Sequence, residues 1–240
     1  MFLYLRSTLF ILFLILSTVV IALILILLKW IVPYRILAWL GKLWGQANLK
    51  ALAILCGLTY RVHGLHHIPQ ETCIVMSKHQ SAWETIALRG ILPPCNSWVI
   101  KRELLRIPFF GWGMSALEPI ALDRKSGSQA IKQLLREGKK RLDSGRWVVI
   151  FPEGTRVATG QRIKYNVGGA ILSEKTGYPI LPIAHNAGIF WVRRGFIKYP
   201  GVVDLVIGDL ISTHGLKAAE INQQVEDWIE GSVARLKNSR

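Results

Sequence analysis

His79 and Glu84 are the residue types of a general base and of the carboxylate that orients it. A neutral imidazole can remove the proton from a hydroxyl group while that oxygen attacks a carbonyl carbon. A carboxylate on the other ring nitrogen fixes the tautomer and stabilises the imidazolium that forms. Positions i and i+5 of one regular helix point about 140° apart. The pair therefore requires His79 on a loop and Glu84 on the first turn of the helix that follows.

A helix cap is the structural alternative for the same segment, SKHQSAWE at residues 77–84. Ser81 and Glu84 match the S-x-x-E capping box, in which each side chain bonds to the backbone at the start of a helix. Short patterns of this kind also occur by chance. The segment alone leaves both interpretations open, and both place the start of a helix near Ser81.

A second segment, FPEGTR at residues 151–156, has the parts of a phosphate clamp. It follows the apolar run 147–150, a predicted strand, and open α/β sheets bind their ligands at the ends of their strands. Gly154 lets the backbone approach an anion, and the Arg156 guanidinium can bind two phosphate oxygens. Glu153 is expected to position Arg156 or the neighbouring backbone. A plain β-turn with a solvated arginine is the alternative.

A third segment, residues 99–112, places a basic cluster after another predicted strand. Lys101 and Arg102 could neutralise a phosphate group. A hydrophobic helix is predicted to follow, and the Phe-Phe-Gly-Trp patch at residues 109–112 could border an acyl chain. A solvated basic face is the ordinary alternative.

The N-terminal region contains an uncharged apolar run from Thr8 to Leu28. About 20 apolar residues suffice for a helix to cross the hydrocarbon core of a bilayer. A cleaved signal peptide with Arg6 as its basic region is the alternative, but the run is too long for its core and no Ala-x-Ala-like site follows. We therefore predict a retained spanning helix at about residues 8–28.

A second helix is predicted at about residues 36–58, after Pro33 ends the first. Lys42, Gln46 and Lys50 recur at i+4 and form one polar stripe on an otherwise apolar helix. A helix of this kind lies in the membrane surface. A second spanning helix is the alternative, and the polar stripe would be unfavourable in hydrocarbon.

The charge balance directs the chain towards anionic partners, with 30 Lys and Arg residues against 15 Asp and Glu and a net charge of +15. Such a balance attracts nucleic acids and anionic membranes alike. The apolar N-terminal run favours the membrane, so no nucleic-acid binding is expected. The positive-inside rule places the bulk of the chain on the cytoplasmic face of the cell (inner) membrane. The basic residues after the run are Lys29, Arg35, Lys42 and Lys50.

Alternating β-rich and helical stretches predict the fold class from about Tyr60 onward. The prediction is one α/β domain at residues 59–240, with a mostly parallel central sheet flanked by helices. An N-terminal membrane-anchoring two-helix segment at residues 1–58 precedes it. The predicted strands are Tyr60–Val62, Cys73–Met76, Trp98–Ile100, Pro119–Leu122, Trp147–Phe151, Ile180–Ile183 and a β pair, Phe196–Tyr199 with Val202–Leu210. The predicted helices are Trp83–Arg89, Gln129–Leu142, Gly169–Lys175 and Lys217–Leu236.

Three histidines, His63, His66 and His67, form a cluster in the sequence. No further metal ligands follow at a convincing spacing, so we do not predict a metal site. We predict a turn after the first strand instead.

Four ordered blocks of this sequence resemble those of the glycerolipid acyltransferase family. The blocks are His79-x4-Glu84, Lys101-Arg102-Glu103-Leu104, FPEGTR and Leu181-Pro182-Ile183. The resemblance covers about residues 60–215, and an N-terminal membrane-anchoring helical pair also fits this family. The first block of the family usually ends in Asp, whereas this chain has Glu84.

The resemblance implies transfer of a fatty acyl group from acyl-CoA or acyl-acyl carrier protein to the sn-2 hydroxyl of lysophosphatidic acid, giving phosphatidic acid. It implies His79 as general base and Glu84 as its partner, without a metal or organic cofactor. The residues that we assign to substrate binding on this basis are Lys101, Arg102, Glu153, Gly154, Thr155 and Arg156.

Two alternatives to this function remain open from the sequence. An acyltransferase for another lysophospholipid, or for a lyso-ornithine-type lipid, would share these blocks. A non-catalytic membrane protein that binds anionic lipids would keep the phosphate clamp without the chemistry.

Overall fold

The computed structural model describes residues 1–237, apart from the side chains of Arg124 and Lys237. Its α-helices are α1 (Phe2–Leu28), α2 (Tyr34–Ala51), α3 (Trp83–Ile91), α4 (Phe110–Ala116), α5 (Ser128–Asp143), α6 (Gly168–Thr176) and α7 (Ala218–Lys237). Its β-strands are β1 (Leu58–His63), β2 (Ile74–Ser77), β3 (Asn96–Lys101), β4 (Ile120–Leu122), β5 (Trp147–Ile150), β6 (Ile180–His185) and β7 (Gly201–Ile207).

A single sheet in the described part of the chain joins these strands in the order β1-β7-β6-β2-β5-β3-β4. Neighbouring strands are parallel except β6 and β7, which are antiparallel. Every residue of β2, β5 and β6 is buried, as expected for central strands that are covered on both faces. The predicted fold class is confirmed.

The helices divide between the two faces of the sheet. Val75 packs in a cluster with side chains of α1, α2 and α3, whereas its neighbour Ile74 packs in a cluster with side chains of α5, α6 and α7. Successive strand residues point to opposite faces, so one short apolar strand contributes to both clusters. This arrangement leaves the carboxyl ends of β2, β3, β5 and β6 at one edge of the sheet.

Two predicted elements differ from the structure. Phe196–Tyr199 is not a strand, because the Lys198 backbone N–H binds the Ser7 hydroxyl and the Tyr199 N–H binds the carbonyl of Phe190. The second helix does not reach residue 58: α2 ends at Ala51, and one wider turn, Leu52–Cys56, follows it. Gly57 then takes a left-handed backbone conformation with φ of 65°, which favours glycine, and β1 begins.

Helix α1 contacts the α/β domain near both of its ends. Near its start, the rings of Tyr4 and Phe196 stack with centroids 5.9 Å apart. Near its end, Leu25 packs in a buried cluster with Leu117, which directly follows α4. Among the described residues, α1 is the one helix that is long and apolar enough to cross a membrane.

Candidate active site at the carboxyl edge of the sheet

Four neighbouring strands bring the predicted site residues to one edge of the sheet. The backbone runs from β2 into the loop that carries His79, and from β5 into FPEGTR. Strand β6 ends at His185 on one side of this pair, and β3 ends at Lys101 on the other. Parallel pairing therefore gathers segments that are far apart in the sequence.

His79 and Glu84 are in direct contact. Helix α3 begins at Trp83, which places His79 on the preceding loop and Glu84 on the first turn, as the spacing requires. His79 Nδ1 lies 2.7 Å from Glu84 Oε1. The Glu84 side chain is fully buried, whereas the His79 side chain keeps 14 % of its surface exposed.

Glu84 also caps its own helix. Its Oε1 atom accepts the backbone N–H groups of Gln80 at 2.8 Å and of Ser81 at 2.7 Å. The Ser81 hydroxyl accepts the N–H of Trp83 at 3.2 Å. Burial acts to raise the pKa of the Glu84 carboxyl, but the neighbouring imidazoles and backbone N–H groups outweigh it and lower that pKa. The helix cap and the imidazole contact therefore coexist on one oxygen.

The tautomer of His79 follows from these contacts. An ionised carboxylate only accepts hydrogen bonds, so Nδ1 carries a proton and donates it to Glu84. Nε2 is then the basic atom, and it has no hydrogen-bond partner within residues 1–237. The Phe151 ring stacks on the imidazole with centroids 4.1 Å apart and planes at 16°. The ring is thus held on two sides, with one nitrogen able to accept a proton.

His185 lies behind this pair, and it was not among the site residues that we assigned from the sequence. It is fully buried, and its Nε2 atom lies 3.9 Å from Glu84 Oε2. His185 Nε2 donates to the carbonyl of Lys78 at 2.9 Å, and its Nδ1 atom accepts the Ala187 N–H at 3.2 Å. Burial lowers the pKa of His185 below its ordinary value. The sequence signal for His185 is its position, because it is a polar residue at the end of the apolar strand β6.

Glu153 lies inside the fold rather than on a surface that a substrate could reach. Its side chain is fully buried; Oε1 accepts from Lys78 Nζ at 2.7 Å, and Oε2 accepts the His79 backbone N–H at 2.6 Å. Burial raises the pKa of Glu153 to about 7, although Lys78 acts against this increase. Of the two roles expected for Glu153 in the turn, the structure shows a contact with the neighbouring backbone, at His79, and no hydrogen bond or ion pair between Glu153 and Arg156.

The rest of FPEGTR forms a turn beside His79. Gly154 has a φ of 67°, and its N–H binds the carbonyl of Phe151 at 2.9 Å. Thr155 is exposed and Arg156 is partly buried. The Arg156 guanidinium makes no hydrogen bond or ion pair with another described residue. The Val157 N–H binds the carbonyl of His79 at 2.8 Å, which ties the turn to the His79 loop.

Lys101 and Arg102 lie at the adjacent strand end. Lys101 is exposed and forms an ion pair with Glu103 at 3.2 Å, and the Arg102 guanidinium donates to Gln133 at 3.3 Å. In the described structure, no hydrogen bond or ion pair joins Lys101 or Arg102 to FPEGTR. The two basic segments are neighbours through β3 and β5 and not through direct contact.

Comparisons with known proteins identify the family of this chain. The acyltransferase family model matches residues 59–186, which is more than half of the chain. A 1-acyl-sn-glycerol-3-phosphate acyltransferase from Pseudomonas aeruginosa is 44 % identical over 196 residues, which cover 80 % of this chain and 76 % of the relative. The chain belongs to the acyltransferase family.

Two further similarities are weaker. A 1-acyl-sn-glycerol-3-phosphate acyltransferase from Saccharomyces cerevisiae is 28 % identical, over 78 % of this chain and 62 % of its own length. The crystal structure of the 1-acyl-sn-glycerophosphate acyltransferase from Thermotoga maritima matches with a TM-score of 0.82 at 22 % identity, covering 98 % of this chain and 96 % of that one. At that identity the likeness concerns the fold alone.

A small groove with a free volume of about 50 Å³ lies between α1, α2 and α4 of the acyltransferase. Its walls are mostly apolar and include Phe110, Met114 and Trp44. The one charged side chain among its lining residues is Arg89, which is buried and donates to the Asn96 amide oxygen at 2.7 Å. The groove therefore lies next to the patch at residues 109–112.

His63, at the end of β1, and His67, just after this strand, make surface contacts with acidic residues. His63 Nε2 lies 2.8 Å from Asp204, and His67 Nδ1 lies 3.3 Å from Asp209. His67 ends a short helical turn, Leu65–His67, in the place where a turn was predicted. Within residues 1–237, no group of three or more His, Cys, Asp and Glu side chains is placed to hold a metal ion.

Proposed function

We propose that this acyltransferase transfers a fatty acyl group to the sn-2 hydroxyl of lysophosphatidic acid and so makes phosphatidic acid for phospholipid synthesis. The observation that carries the proposal is the 2.7 Å contact between His79 and Glu84 beside the FPEGTR turn. The Pseudomonas relative, whose name describes this reaction, supports the choice of acceptor.

The proposed chemical step uses His79 as the general base. Nε2 takes the proton of the sn-2 hydroxyl while that oxygen bonds to the thioester carbonyl carbon. The carbon–sulfur bond then breaks, and the imidazolium returns the proton to the leaving thiolate. Glu84 stabilises the imidazolium between these two events. These steps return His79 to its starting state and need no metal or organic cofactor. A chelator should therefore leave the transfer rate unchanged.

The acceptor's phosphate would bind at the FPEGTR turn. Arg156 is a cation without an ion pair to another described residue, and the Gly154 backbone can approach an anion closely. Thr155 is exposed on the same turn, and Lys101 and Arg102 extend the positive surface to the end of β3. Arg156→Ala should mainly raise the KM for the acceptor, and an unchanged KM would remove Arg156 from the clamp.

The groove between α1, α2 and α4 would contact part of an acyl chain that lies along these helices. Its apolar walls suit a hydrocarbon chain, and it lies beside the Phe-Phe-Gly-Trp patch that was predicted to border one. The groove also opens between the helices that we assign to the membrane. A chain could therefore remain in an apolar environment while the thioester or the hydroxyl reaches His79.

The donor would be acyl-CoA or acyl-acyl carrier protein. Both are anionic, and the net charge of +15 would attract either of them to the protein surface. Purified enzyme assayed with both thioesters at equal concentration separates the two donors directly.

We place the enzyme on the cytoplasmic face of the cell (inner) membrane, with α1 and α2 as its anchor. Many outward side chains of α1 are large and apolar, including Leu12 and Leu16, which are 58 % and 64 % exposed. Trp30 and Trp39 add exposed aromatic rings of the kind that favour the membrane interface. Residues 1–58 would thus be the anchor and residues 59–240 the acyltransferase domain.

The decisive experiment compares wild-type enzyme with His79→Ala in lipid nanodiscs. With lysophosphatidic acid and an acyl thioester, we expect phosphatidic acid from the wild type and none above background from the variant. Binding of lysophosphatidic acid should remain in both proteins. Transfer at the wild-type rate by His79→Ala would refute the mechanism, and a wild type that only binds lipid would favour a non-catalytic function. A panel of lysophospholipids, including lyso-ornithine lipid, tests the acceptor.

A further inference from the structure

Lys78, the residue before His79, is buried together with two carboxylates. Its side chain is only 1 % exposed, and Nζ lies 2.7 Å from Glu153 Oε1 and 2.6 Å from Glu230 Oε1. Glu153 belongs to FPEGTR, whereas Glu230 belongs to α7, near the end of the described chain. Nothing in the proposed chemical step uses Lys78 or Glu230.

Glu153 connects this ion cluster to the proposed base. One of its oxygens binds the Lys78 ammonium, and the other accepts the backbone N–H of His79 at 2.6 Å. A shift of the ammonium would therefore move the carboxylate that holds the His79 backbone. Small displacements of a catalytic group can lower a rate strongly without weakening substrate binding.

Glu230 is the carboxylate that charge neutralisation alone does not explain. Above pH 7, where Glu153 is ionised, one glutamate would balance Lys78, and a second largely buried carboxylate is unfavourable unless its contacts compensate. Glu230 Oε1 also accepts the hydroxyl hydrogen of Tyr165 at 2.8 Å. Tyr165 lies in the segment that follows FPEGTR and is itself buried. Glu230 thus joins three segments: the His79 loop, the segment after FPEGTR and α7.

We propose that Glu230 is a positioning residue, which acts through Lys78 and Glu153 to hold the backbone of His79 in place for proton transfer. Helix α7 would then set the position of the imidazole without touching either substrate. The inference rests on the proposed role of His79 as the general base.

The test is Glu230→Gln in the full-length enzyme in nanodiscs. Glutamine keeps the size of the side chain and an acceptor for Tyr165 but removes the charge that fixes the Lys78 ammonium. We expect kcat to fall about tenfold, with the KM values for acceptor and donor changed by less than about twofold. A merely structural role would lower the melting temperature and the active fraction without this separation of kcat from KM. A wild-type kcat in the folded variant would overturn the proposal.

Glu226→Gln is the matched control on the same helix, one turn earlier. Glu226 accepts from Arg162 at 2.8 Å and from the Tyr165 backbone N–H at 3.4 Å, without a contact to Lys78. We expect its kcat to stay within about twofold of the wild type. Equal losses of kcat in both variants would assign the effect to the packing of α7 and would overturn the role of Glu230.

A third variant keeps the test decisive if Glu230→Gln does not fold. Tyr165→Phe removes the second contact of the same oxygen without a change of charge, and it should lower kcat while KM stays constant. A wild-type kcat in folded Tyr165→Phe would then count against the proposal. His79→Ala separates failure of the proposed function from failure of the positioning role. Activity in His79→Ala would refute His79 as the base. An inactive His79→Ala together with a fully active Glu230→Gln would refute only the positioning role of Glu230.

Discussion

The Oε1 atom of Glu84 receives hydrogen bonds from the His79 ring and from two backbone N–H groups at the start of α3. The helix cap therefore holds the carboxylate in place before any substrate binds, and a preorganised charge stabilises a developing imidazolium most effectively. This geometry also accommodates Glu where the family usually has Asp, because the longer side chain reaches back from the first helical turn.

Glu84→Gln should lower kcat by about a hundredfold, because an amide can accept from Nδ1 but cannot neutralise the imidazolium. Glu84→Asp keeps the charge but moves it away from the imidazole by one methylene, so kcat should fall less, by about tenfold. Steady-state kinetics with lysophosphatidic acid measure both, and the acceptor KM should change little. If Glu84→Gln kept wild-type kcat, the carboxylate would be a helix cap only.

Glu153 predicts a pH dependence of stability. Its pKa is raised from 4.5 to about 7 by burial, so between these values the folded protein holds a proton that the unfolded chain has released. Folding is therefore favoured at the acidic end of this window and loses about 1.4 kcal/mol per pH unit as pH rises through it. Glu153→Gln removes this contribution. Melting curves from pH 5 to 8 should show the wild type losing stability relative to the variant, and parallel curves would contradict the assignment.

At the scale of elements, short apolar runs with turns between them were sufficient to predict most strands and helices. Phe196–Tyr199 failed because aromatic and polar contacts around Lys198, including one from Ser7 on α1, override its β propensity. His79 and Glu84 were found because they are close in sequence. Lys78 and Glu230 are separated by 152 positions, and no local pattern indicates such a pair. Their contact depends on where α7 packs.

The groove gives a prediction for α1, α2 and α4. Gly41 lines it, and a Cβ atom added there would lie 3.3 Å from Leu117 and 3.6 Å from Arg89. Both contacts are with side-chain atoms, so Gly41→Phe must displace Leu117 and Arg89 and narrow the groove, which should shift the preference towards shorter acyl chains. Competition between thioesters of different chain length measures the shift. Leu43→Phe on the exposed side of α2 is the control, and an equal shift in both variants would exclude the groove as the acyl site.

At the scale of the whole molecule, α1 has the length and composition of a spanning helix but not the contacts of an isolated one. Tyr4 near its start and Leu25 near its end both pack on residues of the α/β region. Helix α1 has 27 residues and is therefore about 40 Å long, which is about the thickness of a bilayer. If α1 crossed the bilayer, the domain attached along it would have to enter the hydrocarbon with its charged surface. This packing favours insertion of α1 and α2 from the cytoplasmic side, beside the domain, over the spanning α1 that the sequence predicts.

Cysteine labelling in spheroplasts distinguishes the two arrangements of α1. Phe2→Cys, introduced with Cys95→Ser, places an exposed thiol at the start of the helix while Cys56 and Cys73 stay buried. If the helix is inserted from the cytoplasmic side, a membrane-impermeant maleimide should label residue 2 only after the membrane is opened. Arg136→Cys on α5, which is exposed to solvent on the domain, should behave in the same way. Labelling of residue 2 in intact spheroplasts, with residue 136 still protected, would instead show that α1 crosses the bilayer.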